Sequence, residues 1–272
     1  MGILNRFGRS WDLLGQRSPF GAILTDSDGG MREWNLAEFL ATGQMDAQRF
    51  ITDLERLAPA VSRGSALDFG CGVGRVTRAL AEYFDRVVGV DVAPSMVSEA
   101  RRLNVNVPKL SFVVNRAPHL RQFQSGAFDC IYCRLVLQHL RPRVVRRYIP
   151  ELIRVLAPAG ILMFQLPGGT DVMDSEEAFC SAPVTGSGLK LYAPKSLVRV
   201  YRRLKFRLIV EYGMLETDDP RMHVFAMSRE EVTLLIRNAG ADVLAIRPDQ
   251  SHGTLGQGFE YWVTRNRESH QR

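Results

Sequence analysis

Between Ser65 and Asp91 the chain reads Ser-Ala-Leu-Asp-Phe-Gly-Cys-Gly-Val-Gly-Arg-Val-Thr, passes through a helical segment and ends in Arg-Val-Val-Gly-Val-Asp. Ala66 to Phe69 form a short apolar run that stops at a glycine cluster, and Val76 to Phe84 continue with apolar residues at helical spacing. The stretch therefore reads strand, tight loop, helix. Gly70, Gly72 and Gly74 allow a sharp turn and leave no side chain between the loop and a ligand, while the helix that follows presents unpaired N–H groups and the positive end of its dipole. Arg86 to Val90 form a second buried strand, and Asp91 stands at its carboxyl end, where an acid can accept both hydroxyls of a ribose. The combination points to a cofactor built on a nucleoside.

The loop excludes two alternatives. A dinucleotide fingerprint is G-x-G-x-x-G, but this one is G-x-G-x-G with Arg75 and Val76 where the third glycine should come. A phosphate-binding P-loop needs Gly-Lys-Ser/Thr, which is absent. The stretch closely resembles the first two motifs of class I S-adenosylmethionine-dependent methyltransferases. The resemblance implies that Asp68, Gly70 and Gly72 pack against the amino acid part of the cofactor and that Asp91 binds the ribose. It also places Gly74, Arg75, Val92 and Met96 around the cofactor, which is S-adenosyl-L-methionine with S-adenosyl-L-homocysteine as product.

The resemblance continues on both sides of this stretch. Similar methyltransferases have N-terminal helices over the cofactor, and Trp34-Asn35 to Thr42-Gly43 looks like the segment that lines the pocket, with Trp34 in contact. After the third strand, Leu110 to Val114, relatives commonly carry a glycine and an acid that contacts the adenine amino group. Here the sequence is Asn115-Arg116-Ala117, so Arg116 replaces the acid, and Asn115 and the Ala117 backbone N–H are left to make the contact. Phe128-Asp129-x-x-Tyr132 to Leu137-Gln138-His139 matches the fourth-strand segment of small-molecule methyltransferases and adds Cys133 and Arg134 to the cofactor site.

Strands and helices alternate through Ile161 to Leu166, which implies a parallel sheet with helices on both faces. The expected fold is α/β, a Rossmann-like, seven-stranded, mostly parallel sheet. Asp242 to Ile246 and Phe259 to Val263 supply the last two strands, and the resemblance places the final one antiparallel beside the fifth. Pro94 and Pro142 open helices, and Gly160 is read as the end of the second of these. Ser228 with Glu231 signals a helix that ends at Gly240. Residues 1–60 read as a helical arm over the cofactor and 61–272 as the methyltransferase domain. Within the arm, Trp11, Leu13, Leu14 and Phe20 recur among Gly, Ser and Pro as an irregular segment. Asn35 and Glu38 cap a short helix ended by Gly43, and Asp46 caps another with Phe50, Leu54 and Leu57 on one face. Residues of about 168–222 interrupt the alternation. That insertion holds Pro194 and a basic helical pattern, Lys195 to Leu208, positioned to shape the acceptor site. The end of the chain from Arg265 reads as a polar tail that frays.

The chain has 272 residues, a net charge of +6 and four cysteines, at 71, 130, 133 and 180. Four cysteines are too few for a disulfide framework in a chain this long. Cys130 and Cys133 form a C-x-x-C, but on a strand positions three apart face opposite ways, so buried cysteines are favoured over a metal pair, and no metal site is expected. No run of about eighteen apolar residues occurs, and the start lacks the apolar centre of a secretion signal, so a cytoplasmic protein without a transmembrane segment is the default expectation.

Methyl transfer from a sulfonium is an in-line displacement that can rely on positioning, worth roughly 7–11 kcal/mol. A general base adds about two to four powers of ten where the acceptor must lose a proton. His139 and His223 are the candidates for that role, with His252 and Tyr261 behind them. The Leu-Gln-His and Phe-Gln-Leu-Pro segments resemble methyltransferases of sugar, lipid-linked glycan and natural-product pathways. A small-molecule or glycan acceptor, methylated at O or N, is therefore expected, and the basic insertion is compatible with an acidic or lipid-linked one. Nucleic acid is disfavoured because the Asn/Asp-Pro-Pro-Tyr motif of base-amine methylation is missing. An RNA methyltransferase and a non-catalytic scaffold on the same fold are the two other readings. Oligomeric state is not legible.

Overall fold

The computed structural model describes residues 3–24, 33–168, 224–249 and 258–266. Seven strands form one sheet: β1 (Ser65–Phe69), β2 (Arg86–Asp91), β3 (Leu110–Val114), β4 (Phe128–Cys133), β5 (Leu156–Pro167), β6 (Ala241–Asp249) and β7 (Gly258–Arg265). Their order is β3-β2-β1-β4-β5-β7-β6. β1 to β5 pair in parallel, and β7 runs antiparallel to both β5 and β6. The final strand therefore lies beside the fifth, as expected. Both faces are covered, because every inner strand alternates between two apolar layers. Ile131 and Cys133 face a layer completed by α6 (Pro142–Val155) and α7 (Arg229–Asn238). Cys130 and Tyr132 face the other, completed by α3 (Leu36–Leu57) and α4 (Arg75–Leu80). The C-x-x-C is thus split between the two faces, and among the described residues no cluster of metal-ligating side chains occurs.

Several boundaries differ from the sequence reading. α1 (Ile3–Arg17) and α2 (Pro19–Ile23) make the beginning of the chain regular rather than irregular, and α3 is one helix where two were expected. Gly43 sits in its middle without ending it, because the glycine there serves close packing: a Cβ would lie 2.3 Å from the Arg75 carbonyl oxygen. Asp46, in the same helix, caps nothing. α4 is regular only to Leu80, and turns bonded Tyr83 N–H to Leu80 O and Phe84 N–H to Leu80 O complete the segment to Phe84.

Gly160 is not a helix terminator either. α6 ends at Val155 and runs straight into β5, whose pairing with β4 jumps from Phe128–Leu156 to Cys130–Ile161. Gly160 lies in that bulge, where a Cβ would meet the Asp129 carbonyl oxygen at 2.7 Å. At the other end of the sheet Arg265 does not fray. It is buried, and its Nη1 donates to the carbonyls of Arg154 (2.9 Å) and Leu156 (2.7 Å). Ser228 caps α7 as expected, accepting from the Glu231 N–H, while the Glu231 carboxylate pairs with Arg146 at 2.6 Å. The insertion at about 168–222 lies outside the described residues. Among those described, no helix is long and apolar enough to cross a membrane.

Candidate active site

The carboxyl ends of β1, β2 and β4 open into a cavity of about 330 Å³. Its floor is the glycine loop. Gly70, Gly72 and Gly74 all take left-handed backbone conformations, with φ of 83°, 53° and 82°. Gly70 N–H and Cys71 N–H both donate to the Val90 carbonyl, at 2.7 and 3.0 Å, which ties the loop to β2. Side chains close in on it from two sides. A Cβ on Gly70 would meet Val136 at 2.1 Å, and one on Gly72 would meet Ile23 at 2.5 Å, so only glycine fits under both.

Two acids flank this loop. Asp91, at the end of β2, accepts from Gly72 N–H through Oδ2 and from Ala93 N–H through Oδ1, each at 2.9 Å. Burial pushes its pKa up, and the backbone N–H groups oppose that shift. A carboxylate offers about four lone-pair sites, so two bonds to the backbone leave capacity for two ligand hydroxyls. Asp68 is buried in β1 and accepts from Thr77 Oγ1 at 2.6 Å. Burial raises it to about 6, with the Thr77 bond and the Arg75 charge acting against the rise.

At the end of β4, Arg134 donates from Nη1 to Asp46 Oδ1 at 3.0 Å and its Nη2 lies 3.5 Å from Asp249 Oδ1. Arg75 Nη1 reaches the other Asp46 oxygen at 2.7 Å and Thr42 Oγ1 at 3.1 Å. Asp46 thus bridges both guanidiniums, and all three line the cavity. Leu135, next along the wall, is left-handed at φ 60°. A 3₁₀ turn, Leu137–His139, follows it. The Gln138 Nε2 lies 3.1 Å from His139 Nε2, Gln138 Oε1 is buried without a hydrogen-bond partner, and the Gln138 carbonyl accepts from Phe225 N–H at 2.7 Å.

The roof comes from the arm. Phe7 and Trp11 of α1 and Ala22 and Ile23 of α2 line the cavity, and Trp11 meets the His139 ring edge-on at 5.3 Å. Asp12 fastens α1 to the start of α5 (Pro94–Leu103): its Oδ1 accepts from Ser95 N–H at 2.7 Å and its carbonyl from Ser95 Oγ at 2.8 Å.

Of the residues singled out in the sequence, the structure brings Asp68, Gly70, Gly72, Arg75, Asp91, Val92, Met96, Asn115, Arg134 and His139 to this cavity. Trp34, Gly74, Arg116, Ala117 and Cys133 are not part of its wall. Trp34 packs edge-on against Phe39 and donates from Nε1 to the Leu24 carbonyl at 3.1 Å. Gly74 caps α4, and Cys133 is in the core. Arg116 is exposed. Ala117 N–H turns back to Asn115 Oδ1 at 3.4 Å, the Asn115 amide donates to Ala117 O and Tyr148 OH, and Tyr148 OH donates to Ala117 O at 2.7 Å, so these polar groups are bonded within the turn and to α6. His223 lies outside the described residues. Sequence reasoning missed Phe7, Trp11, Asp46, Gln138 and Tyr148, although Phe7, Trp11 and Leu14 recur at helical spacing.

The sheet order and the cavity at the carboxyl ends of β1, β2 and β4 are those that the resemblance to class I S-adenosylmethionine-dependent methyltransferases implies, and known proteins resemble the chain in the same way. Residues 67–164 match the family described as methyltransferase domain. A trans-aconitate 2-methyltransferase of Methylobacterium radiotolerans is 32% identical over 139 residues, 50% of each chain. An uncharacterized methyltransferase of Synechocystis is 36% identical over 109 residues, 40% of this chain and 49% of that protein. The chain spans about half the length of the curated relatives it matches. Among solved structures, a methyltransferase of Leishmania major superposes with a TM-score of 0.61 at 14% identity, covering 97% of this chain and 83% of that one. Magnesium protoporphyrin IX methyltransferase of Synechocystis with bound S-adenosylhomocysteine gives 0.59 at 14%, covering 97% and 99%. These two likenesses are of fold. S-adenosylmethionine is the cofactor of the class, and the cavity suits it: the glycine floor leaves no room for a Cβ, and among the described residues the wall carries three carboxylates, Asp46, Asp68 and Asp91, against two guanidiniums, a balance that favours a cationic guest.

Proposed function

We propose that this protein transfers the methyl group of S-adenosylmethionine to an O or N atom of a small molecule or glycan. The observation that carries the reading is Asp91: it braces the glycine loop through Gly72 N–H and keeps lone pairs toward the cavity that Gly72 itself lines. The cofactor supplies an activated methyl on a positively charged sulfur. The chain's part is then to bind, orient and exclude water. Asp91 accepts the ribose hydroxyls, Trp11 and Phe7 cover the cavity, and the glycine loop and Val136 fix the depth at which a ligand rests. His139 is the base candidate in the wall, and it must give up the Gln138 contact at Nε2 before that nitrogen can take a proton.

The acceptor class follows from charge. Both guanidiniums in the described wall are paired with Asp46, and the buried Gln138 Oε1 lacks a donor. A neutral hydroxyl or amine suits that wall better than the tricarboxylate in the relatives' name, so trans-aconitate is expected to be a poor substrate.

The test is a thermal shift with S-adenosylhomocysteine, wild type against Asp91→Ala. At 100 times the dissociation constant the ligand stabilises by about 2.7 kcal/mol, or roughly 5–10 °C at this size. A shift in the wild type that Asp91→Ala loses supports the donor site. No shift in the wild type at millimolar ligand would sink it.

A further inference from the structure

We propose that Gln165 is a positioning residue of this cavity: its side-chain carbonyl holds Leu135 in the left-handed conformation and so sets where Arg134 and Val136 stand in the wall. The inference rests on reading the cavity as the S-adenosylmethionine site.

Leu135 has φ of 60° and lines the cavity. A left-handed L-residue other than Gly, Asn or Asp is disfavoured by the crowding of its Cβ, and it persists only where its surroundings over-determine it. Its own neighbours do not supply the reason, since Arg134-Leu135-Val136 contains no glycine. A hydrogen bond does: Leu135 N–H donates to Gln165 Oε1 at 3.0 Å. Gln165 is fully buried in β5, one residue past the last β4–β5 partners, Cys133 and Phe164, and opposite Glu260 of β7. It therefore stands beside the point where the chain leaves β4, with its backbone fixed by the sheet.

The conformation of Leu135 matters because of what flanks it. On one side Arg134 is tied to Asp46 at 3.0 Å. On the other, Val136 covers Gly70, its Cγ2 standing 2.1 Å from where a Cβ would be. If Leu135 relaxed to a right-handed or extended conformation, Arg134 and Val136 could not both keep those places. One hydrogen bond from a neighbouring strand thus fixes a guanidinium and the apolar lid over the glycine floor.

The experiment measures S-adenosylhomocysteine affinity by calorimetry on the full chain for the wild type, Gln165→Met, Leu135→Gly and the double variant. Gln165→Met is expected to weaken binding about tenfold, equivalent to about 1.4 kcal/mol. The double variant should regain most of the loss, because glycine takes the left-handed conformation without steric cost. A residue that served only stability would show no such rescue. If Gln165→Met does not fold, Gln165→Asn, one methylene too short to reach Leu135, is tested in the same way. Unchanged affinity in the Gln165 variant, or a double variant as weak as the single, overturns the proposal. A wild type that binds no S-adenosylhomocysteine overturns the reading of the cavity as well.

Discussion

Gly43 and Arg75 meet at the crossing of α3 and α4, and a Cβ at position 43 would stand 2.3 Å from the Arg75 carbonyl oxygen and 2.5 Å from its Cγ. The contact brings the two helices close enough for Asp46, one turn further along α3, to pair with the Arg75 guanidinium at 2.7 Å. A helix-interior glycine thus links the arm to the glycine loop that α4 continues.

The expected outcome for Gly43→Ala follows from this clash. In an open helix the change would stabilise by up to about 1 kcal/mol through propensity. Here the obstacle is backbone, which cannot rotate away, so overpacking of about 1–3 kcal/mol prevails. The melting temperature is expected to fall by roughly 3–10 °C. Thermal denaturation decides the matter by sign: a rise would mean that α3 and α4 are not packed so closely.

What could be read in the sequence, and what could not, divides along the same line. Gly70 and Gly72 were legible because a sharp backbone turn needs glycine there, Asp91 because it ends the apolar run of β2, and the alternation of strands and helices fixed most of the sheet. Gly43 was not, because a glycine that ends a helix and one that admits a neighbouring backbone look alike in one dimension. The same ambiguity hid α1, whose Gly8 and Gly15 resemble breakers but admit Val92 and Ser95. Asp46 read as a cap because its partners, Arg75 and Arg134, lie 29 and 88 residues away. Leu135 carries no signal at all, since its conformation is imposed from β5.

Cys130 and Cys133 give a second test. They lie on opposite faces of β4, both buried, and burial pushes the Cys130 thiol up to about 12 and raises Cys133 as well. Thiolate is the reactive form, so neither should react with Ellman's reagent at pH 8 until the protein unfolds. A zinc pair would behave otherwise, and chelator treatment is therefore expected to leave the melting temperature unchanged. Rapid labelling of either residue in the native protein, or a fall in melting temperature with chelator, would contradict the assignment of both to the core.

Asp68 ties stability to pH. Burial raises its folded pKa from 3.8 to about 6, so the native protein holds this proton more tightly than the unfolded chain does. The sign follows from linkage: between 3.8 and about 6 the folded state binds more protons, and the Asp68 contribution to stability is fully present below 3.8 and is lost as pH rises through about 6. The amount is on the order of 2–3 kcal/mol. Asp68→Asn removes the titration and keeps an acceptor for Thr77, whose Oγ1 now donates to Asp68 at 2.6 Å. Other carboxylates lower the stability of both proteins in acid, so the informative quantity is the difference between them. The melting temperature of wild type relative to Asp68→Asn is expected to rise by several degrees as pH is taken from 7 to 4.5. Parallel pH profiles would show that Asp68 titrates normally and that the floor of the cavity is wetter than its burial indicates. Ligand binding gives an independent reading of the same group. The ionised Asp68 favours a cationic guest, so the wild-type affinity for S-adenosylmethionine should weaken as pH falls through about 6, and the Asp68→Asn affinity should be flatter over that range.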